Sequence, residues 1–137
     1  MLVYDTDAVY QFVRQRVPGL DRSGDMRAIG WAAGGALVAG VLYEGFNGFN
    51  AWMHVAAVPG ARWLRRDYLR ACFAYPFRVC GLSRVSGYVE ASNLAARRFD
   101  EHLGFTEEAR LRGAASDGGD VIIYVMRRED CRHVGPH

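Results

Sequence analysis

Hydrophobic residues recur along this chain in two rhythms, and the rhythm changes at Gly, Pro and Asn. In "TDAVYQFVRQRV", Val9, Phe12, Val13 and Val17 recur at helical spacing, with Asp5 or Thr6 placed to cap. "PGLDRSGD" interrupts the pattern, and "MRAIGWAA" then reads as a strand. Gly34-Gly35 is a two-residue turn signal leading into "ALVAGVLYEGF". Asn47-Gly48 offers the positive-φ residues of a tight hairpin ahead of "NAWMHVAAV". The first half is thus a helix and a three-stranded meander. After Pro59-Gly60, "RWLRRDYLRACFAY" puts Leu64, Tyr68 and Cys72 on one stripe of an amphipathic helix that Pro76 ends or kinks. "SRVSGYVEA" is a strand with Val85, Gly87 and Val89 on one face. Ser92 or Asn93 caps a helix over "LAARRFDEHL", which Gly104 stops. "FTEEARLRG" alternates, with Phe105, Ala109 and Leu111 inward, and "SDGGD" turns the chain into a last strand, "VIIYVMRRE". The closing hairpin is apolar enough to sit inside the sheet, and the tail from Cys131 to His137 is expected to fray.

The strand–helix–strand run over about residues 50–90 requires a right-handed crossover and a locally parallel strand pair. The expected class is α+β: a mixed, mostly antiparallel sheet with a central splayed parallel pair, flanked by helices. Its 137 residues, half of them hydrophobic, suffice for one domain spanning 1–137 with a proper core.

Composition narrows the function. Seventeen Lys+Arg against fifteen Asp+Glu leave a formal charge of +2, too little for a general nucleic-acid binder. Cys72, Cys80 and Cys131 form no C-x-x-C pair, and no histidine stands at ligand spacing from them. Free thiols in a reducing compartment are expected, and no metal site. "MLVYDTDAVY" lacks a basic segment followed by an apolar run, and no stretch nears the roughly 20 apolar residues of a membrane span. The expectation is a cytoplasmic protein with no membrane partner.

The arginines of "AAVPGARWLRRD" raise a physical question. A helix start is partially positive, so Arg62, Arg65 and Arg66 placed there repel it unless an anion lies in front. A phosphate or pyrophosphate at Gly60–Leu64 answers that; a solvated arginine face paired to Asp67 or other carboxylates is the alternative.

The stretch "YVEASNLAARRFDEHLGF", with Asn93, Ala96 and Leu103-Gly104-Phe105, followed by "TEEARLRGAASDGGDVIIYVMRRE", resembles the C-terminal half of the GNAT-type N-acetyltransferases. The resemblance spans about residues 26–130. It implies acetyl-CoA as cofactor, its pantetheine between strands Trp52–Val58 and Arg84–Glu90 and its pyrophosphate at Gly60–Arg65. On that basis Val55, Ala56, Ala57, Gly60, Arg62, Trp63, Leu64, Arg65, Arg66 and Asn93 are the cofactor-binding candidates, with a backbone N–H around Val55–Ala57 for the oxyanion.

Two departures stand out. The loop of that family reads Arg/Gln-x-x-Gly-x-Gly/Ala, whereas this chain has Gly60 with no second glycine after it and the bulky Trp63 and Leu64 where the loop is usually bare, so arginine side chains replace backbone contacts or cofactor binding is lost. Many members place a tyrosine acid where this chain has Asp100, a poor proton donor at its ordinary pKa of about 3.9. Tyr88, Tyr124 or water is then the acid.

For the base, His54 has a suitable unperturbed pKa of about 6.5, with Glu44 second and Glu90 third. Trp31, Tyr43, Phe46, Phe49 and Trp52 cluster around the meander and its hairpin; most are expected in the core, with several near one turn lining an acceptor pocket or a homodimer surface. The activity implied is transfer of an acetyl group directly to an amine, on a small molecule or a protein N-terminus. Two alternatives are a GNAT-shaped binding module that has lost its cofactor loop, and a phage-type DNA-modifying acyltransferase.

Overall fold

The computed structural model describes residues 1–135. Its elements run β1 (Leu2–Val3), α1 (Thr6–Arg14), β2 (Arg27–Ala33), β3 (Ala36–Glu44), β4 (Asn50–Ala57), α2 (Arg66–Ala74), β5 (Arg84–Glu90), α3 (Leu94–Leu103), β6 (Thr106–Leu111) and β7 (Val121–Arg127). The strands form one sheet in the order β1-β2-β3-β4-β5-β7-β6. Among the described residues only β4 and β5 pair in parallel. The α+β class and the parallel pair therefore stand as expected.

The sheet separates two cores. On one face α1 brings Val9, Phe12 and Val13 against Met26, Ala28 and Leu42. Gly30 and Gly40 permit that approach. A Cβ on Gly40 would lie 2.8 Å from Val9 and 2.9 Å from Val13. On the other face α2 and α3 cover Tyr43, Met53, Val85 and Tyr124 with Tyr68, Phe73 and Leu103.

Pro76 shapes the end of α2. It has no N–H to give to the carbonyl of Cys72, four residues earlier. That carbonyl accepts the Tyr43 hydroxyl instead, at 2.5 Å. The chain then widens into a π turn over Tyr75–Val79, where Cys80 N–H reaches Tyr75 O at 2.9 Å.

Several boundaries differ from the sequence expectation. α1 stops at Arg14, not Val17, because the residue before Pro18 is disfavoured in helix. β1 was not anticipated; two residues carry no readable period. β6, expected inside the sheet, is the edge strand, and all six of its residues are exposed, Ala109 and Leu111 included. A bulge between Glu107 and Ala109 breaks the alternation, and an edge strand has only one neighbour to shelter it. The tail packs rather than frays as far as Gly135. Cys131 and Val134 are buried, His133 stacks on Phe73 at 4.8 Å, and its Nε2 lies 2.6 Å from Leu103 O. Pro136 and His137 lie outside the described residues.

Gly40→Ala is expected to push α1 outward and to lower stability by about 1–3 kcal/mol. Urea unfolding of the variant beside the parent chain measures this.

Candidate active site

β4 and β5 pair over three positions only: Asn50 with Arg84, Ala51 with Val85, Trp52 with Ser86. A polar network fixes this junction. Ser86 Oγ donates to Asn50 Oδ1 at 2.6 Å and accepts from Arg84 Nη2 at 2.9 Å. Arg84 in turn grips both oxygens of Glu108, at 2.9 and 2.7 Å. Beyond Trp52 the strands part.

The backbone facing the gap follows from the pairing. Val58 N–H bonds Val38 O on the β3 side at 2.8 Å. Backbone groups alternate along a strand, so the N–H groups of Val55 and Ala57 point the other way, into the gap. The N–H of Ala56 points toward β3.

Side chains alternate as well. Met53, Val55 and Ala57 pack in the core under α2 and α3. Trp52 and His54 project to the opposite face. There His54 Nε2 lies 2.6 Å from Glu44 Oε2, with the two side chains 8% and 22% exposed. The Tyr88 ring stands edge-on to His54 at 5.5 Å and tilted to Trp52 at 6.0 Å. Glu44, Gly45, Trp52, His54 and Tyr88 line a cavity of about 300 Å³. Three of the five residues considered as base or acid, His54, Glu44 and Tyr88, are thus in one place.

Burial lowers the pKa of His54 from its ordinary 6.5, and Glu44 only partly opposes it. That direction favours the neutral ring at neutral pH. A neutral ring that donates Nε2–H to Glu44 leaves Nδ1 as a free base, and Nδ1 has no hydrogen-bond partner among the described residues. Burial, then Glu44, raises the Tyr88 phenol. Tyr124 lies elsewhere. Its ring is fully buried and its hydroxyl donates to Glu101 Oε2 at 2.7 Å. Glu90 accepts from Ser116 N–H and Oγ, at 3.0 and 2.9 Å.

Asp100 departs from expectation. Burial, with the nearby Glu101 second, raises its pKa to about 7. A carboxyl read from sequence as a poor donor thus keeps a proton near neutral pH. The sequence could not show this because the cause is enclosure.

The arginine stretch is arranged differently from a helix beginning at Arg62. Pro59 to Arg65 is irregular, Gly60 takes φ +79°, and α2 begins at Arg66 with no side-chain cap. Arg62 therefore does not share a helix face with Arg66 and Arg70. Arg65 lies 3.5 Å from Asp67 and over the Trp31 ring at 5.1 Å. Arg62, Arg66 and Arg70 have no ion-pair partner among the described residues. Arg65, Arg66, Asp67 and Arg70 border an open depression of about 530 Å³. Leu64 is 48% exposed. Trp63 turns inward onto Tyr68 at 6.2 Å and Phe99 of α3 at 5.1 Å. That contact joins the two segments that leave the diverging strand ends. Asn93 spends its side-chain oxygen on the α3 cap, accepting from Ala96 N–H at 3.1 Å.

The structure superposes on the spermidine/spermine N-acetyltransferase SpeG from Vibrio cholerae with a TM-score of 0.76. Identity is 15%, over 94% of this chain and 92% of that chain. The chain carries the GNAT fold. A SpeG chimera from Vibrio cholerae and hSSAT matches at TM-score 0.74 and 15% identity, covering 93% and 94% of the two chains. The dodecameric spermidine N-acetyltransferase of the same organism matches at 0.65 and 18%, covering 90% and 74%. No protein-family model and no curated protein matches the sequence. Within the GNAT fold of this chain, no described helix is long and apolar enough to cross a membrane, and no described group of three or more His, Cys, Asp or Glu is placed to hold a metal.

Glu44→Gln should lower the His54 pKa further, since it removes the influence that holds the cation. Histidine NMR titration is expected to give a value below 6.5 in the parent chain and a lower one in the variant.

Proposed function

We propose that this protein is an acetyl-CoA-dependent N-acetyltransferase acting on an amine. The observation that carries the reading is the parting of β4 and β5 between two built regions. A basic, uncapped helix start lies at the end of β4, and the His54–Glu44 pair lies on the other face of the sheet.

The residues present suit the cofactor. Arg62, Arg66 and Arg70, with the start of α2, match a diphosphate, and the N–H groups of Val55 and Ala57 match amide and carbonyl oxygens in the gap. Gly60, Trp63, Leu64, Arg65 and Asn93 border the same route, and Ala56 lies on β4 between the two donors. Bound there, acetyl-CoA would supply an activated acyl carbon, whose C–S bond breaks as a C–N bond to the amine forms; an ammonium acceptor gives up two protons, one released to solvent and one matched by the proton that reaches sulfur. His54 Nδ1 takes the proton from the amine, and Glu44 holds the ring in the Nε2–H tautomer. Val55 and Ala57 N–H groups stabilise negative charge developing on oxygen. Asp100, on the helix that follows β5, holds a proton near neutrality and is the donor in preference to Tyr124, whose hydroxyl is engaged by Glu101.

One observation favours a second reading, the binding module. Trp63 already fills the space between its own segment and Phe99. The two readings separate in melting curves. Coenzyme A at saturation is expected to raise the melting temperature of the parent chain, and Arg62→Ala with Arg66→Ala to abolish the rise. A rise seen only after Trp63→Ala supports the closed module. With an amine panel, His54→Ala should reduce kcat by about 10²–10⁴-fold.

The pH dependence has a defined sign. His54 must be neutral, so kcat falls as pH drops through a value below 6.5. Asp100 must be protonated, so kcat falls as pH rises through about 7. Asp100→Asn should lower kcat and remove the alkaline limb while leaving the acid limb in place.

A further inference from the structure

The pocket on the α1 face has a chemistry of its own. One carboxylate, Glu44, lines it, with the rings of Trp52, Tyr88 and His54 as walls. Glu44 Oε2 is committed to His54, which leaves Oε1 for one ammonium group. Trp52 and Tyr88 stand at 60° to each other and Tyr88 is 51% exposed, an apolar surface open to a ligand. Ring faces attract a cation and also cover a hydrocarbon body.

A second or third ammonium would need further acids, and neither Asp25 nor Glu90 lines this cavity.

From this juxtaposition we propose that the acceptor is a monoamine on an aromatic or apolar body rather than a polyamine, with Glu44 meeting its single charge and Trp52 and Tyr88 its body. The proposal rests on the acetyltransferase reading. It sets this pocket apart from the spermidine enzymes that share the fold.

The test measures coenzyme A release with phenethylamine and tryptamine against putrescine and spermidine, together with calorimetric titration of phenethylamine into the free protein. The expected result is a kcat/KM for phenethylamine at least about tenfold above that for spermidine. Trp52→Ala should raise KM for phenethylamine about tenfold and leave that for spermidine nearly in place. Spermidine or putrescine used as well as or better than the aryl amines overturns the proposal and leaves the transferase reading intact. If no amine is turned over, the transferase reading fails. Calorimetry then decides the pocket: heat with phenethylamine that Trp52→Ala abolishes supports it, and no heat overturns it.

Discussion

Three residue pairs between β4 and β5 govern the rest of the molecule. Parallel strands normally continue side by side until one of them ends. Here they are locked at one end by Asn50, Ser86, Arg84 and Glu108, and they separate after Trp52. The lock is strong because it is charged, bidentate and centred on a serine that is 1% exposed. Together with the core that joins Tyr43 and Met53 to Val85 and Tyr124, it sets the angle between the two halves of the sheet.

The parting leaves the Val55 and Ala57 N–H groups of β4 facing the gap rather than β5, at a place flanked by two cores. Unpaired N–H groups are costly in an apolar setting and productive beside a reacting oxygen. The same geometry separates two kinds of electrostatics. The side of α2 is rich in guanidinium groups, whereas the pocket at His54 holds a single anion. Opposite local potentials thus lie on the two faces of one sheet.

How much of this was legible in the sequence depended on local chemistry. α3 was readable at both ends because Asn93 caps it and Gly104, at φ +113°, stops it. The start of α2 was not, since the apolar stripe continues back to Leu64 while Trp63 finds better burial outside the helix. The β6 alternation is real in the sequence but misleads, because one bulge undoes it. His54, Glu44 and Tyr88 could be named from residue type and strand position. Their meeting depends on the β3–β4 register, where Leu42 pairs with His54 and Glu44 with Trp52. Tyr124 looked equivalent to Tyr88 because only the fold reveals Glu101 beside it. The proton on Asp100 was illegible for the same reason: enclosure is a property of the folded chain.

On the proposed acetyltransferase reading, the gap between β4 and β5 has a kinetic meaning. The basic depression and the His54 pocket lie on opposite faces of the sheet, with a separate approach to each. Neither visitor would have to leave before the other arrives, so both could be present together and nothing need be stored on the protein between them. Initial-rate plots for such an arrangement intersect rather than run parallel, whichever visitor comes first.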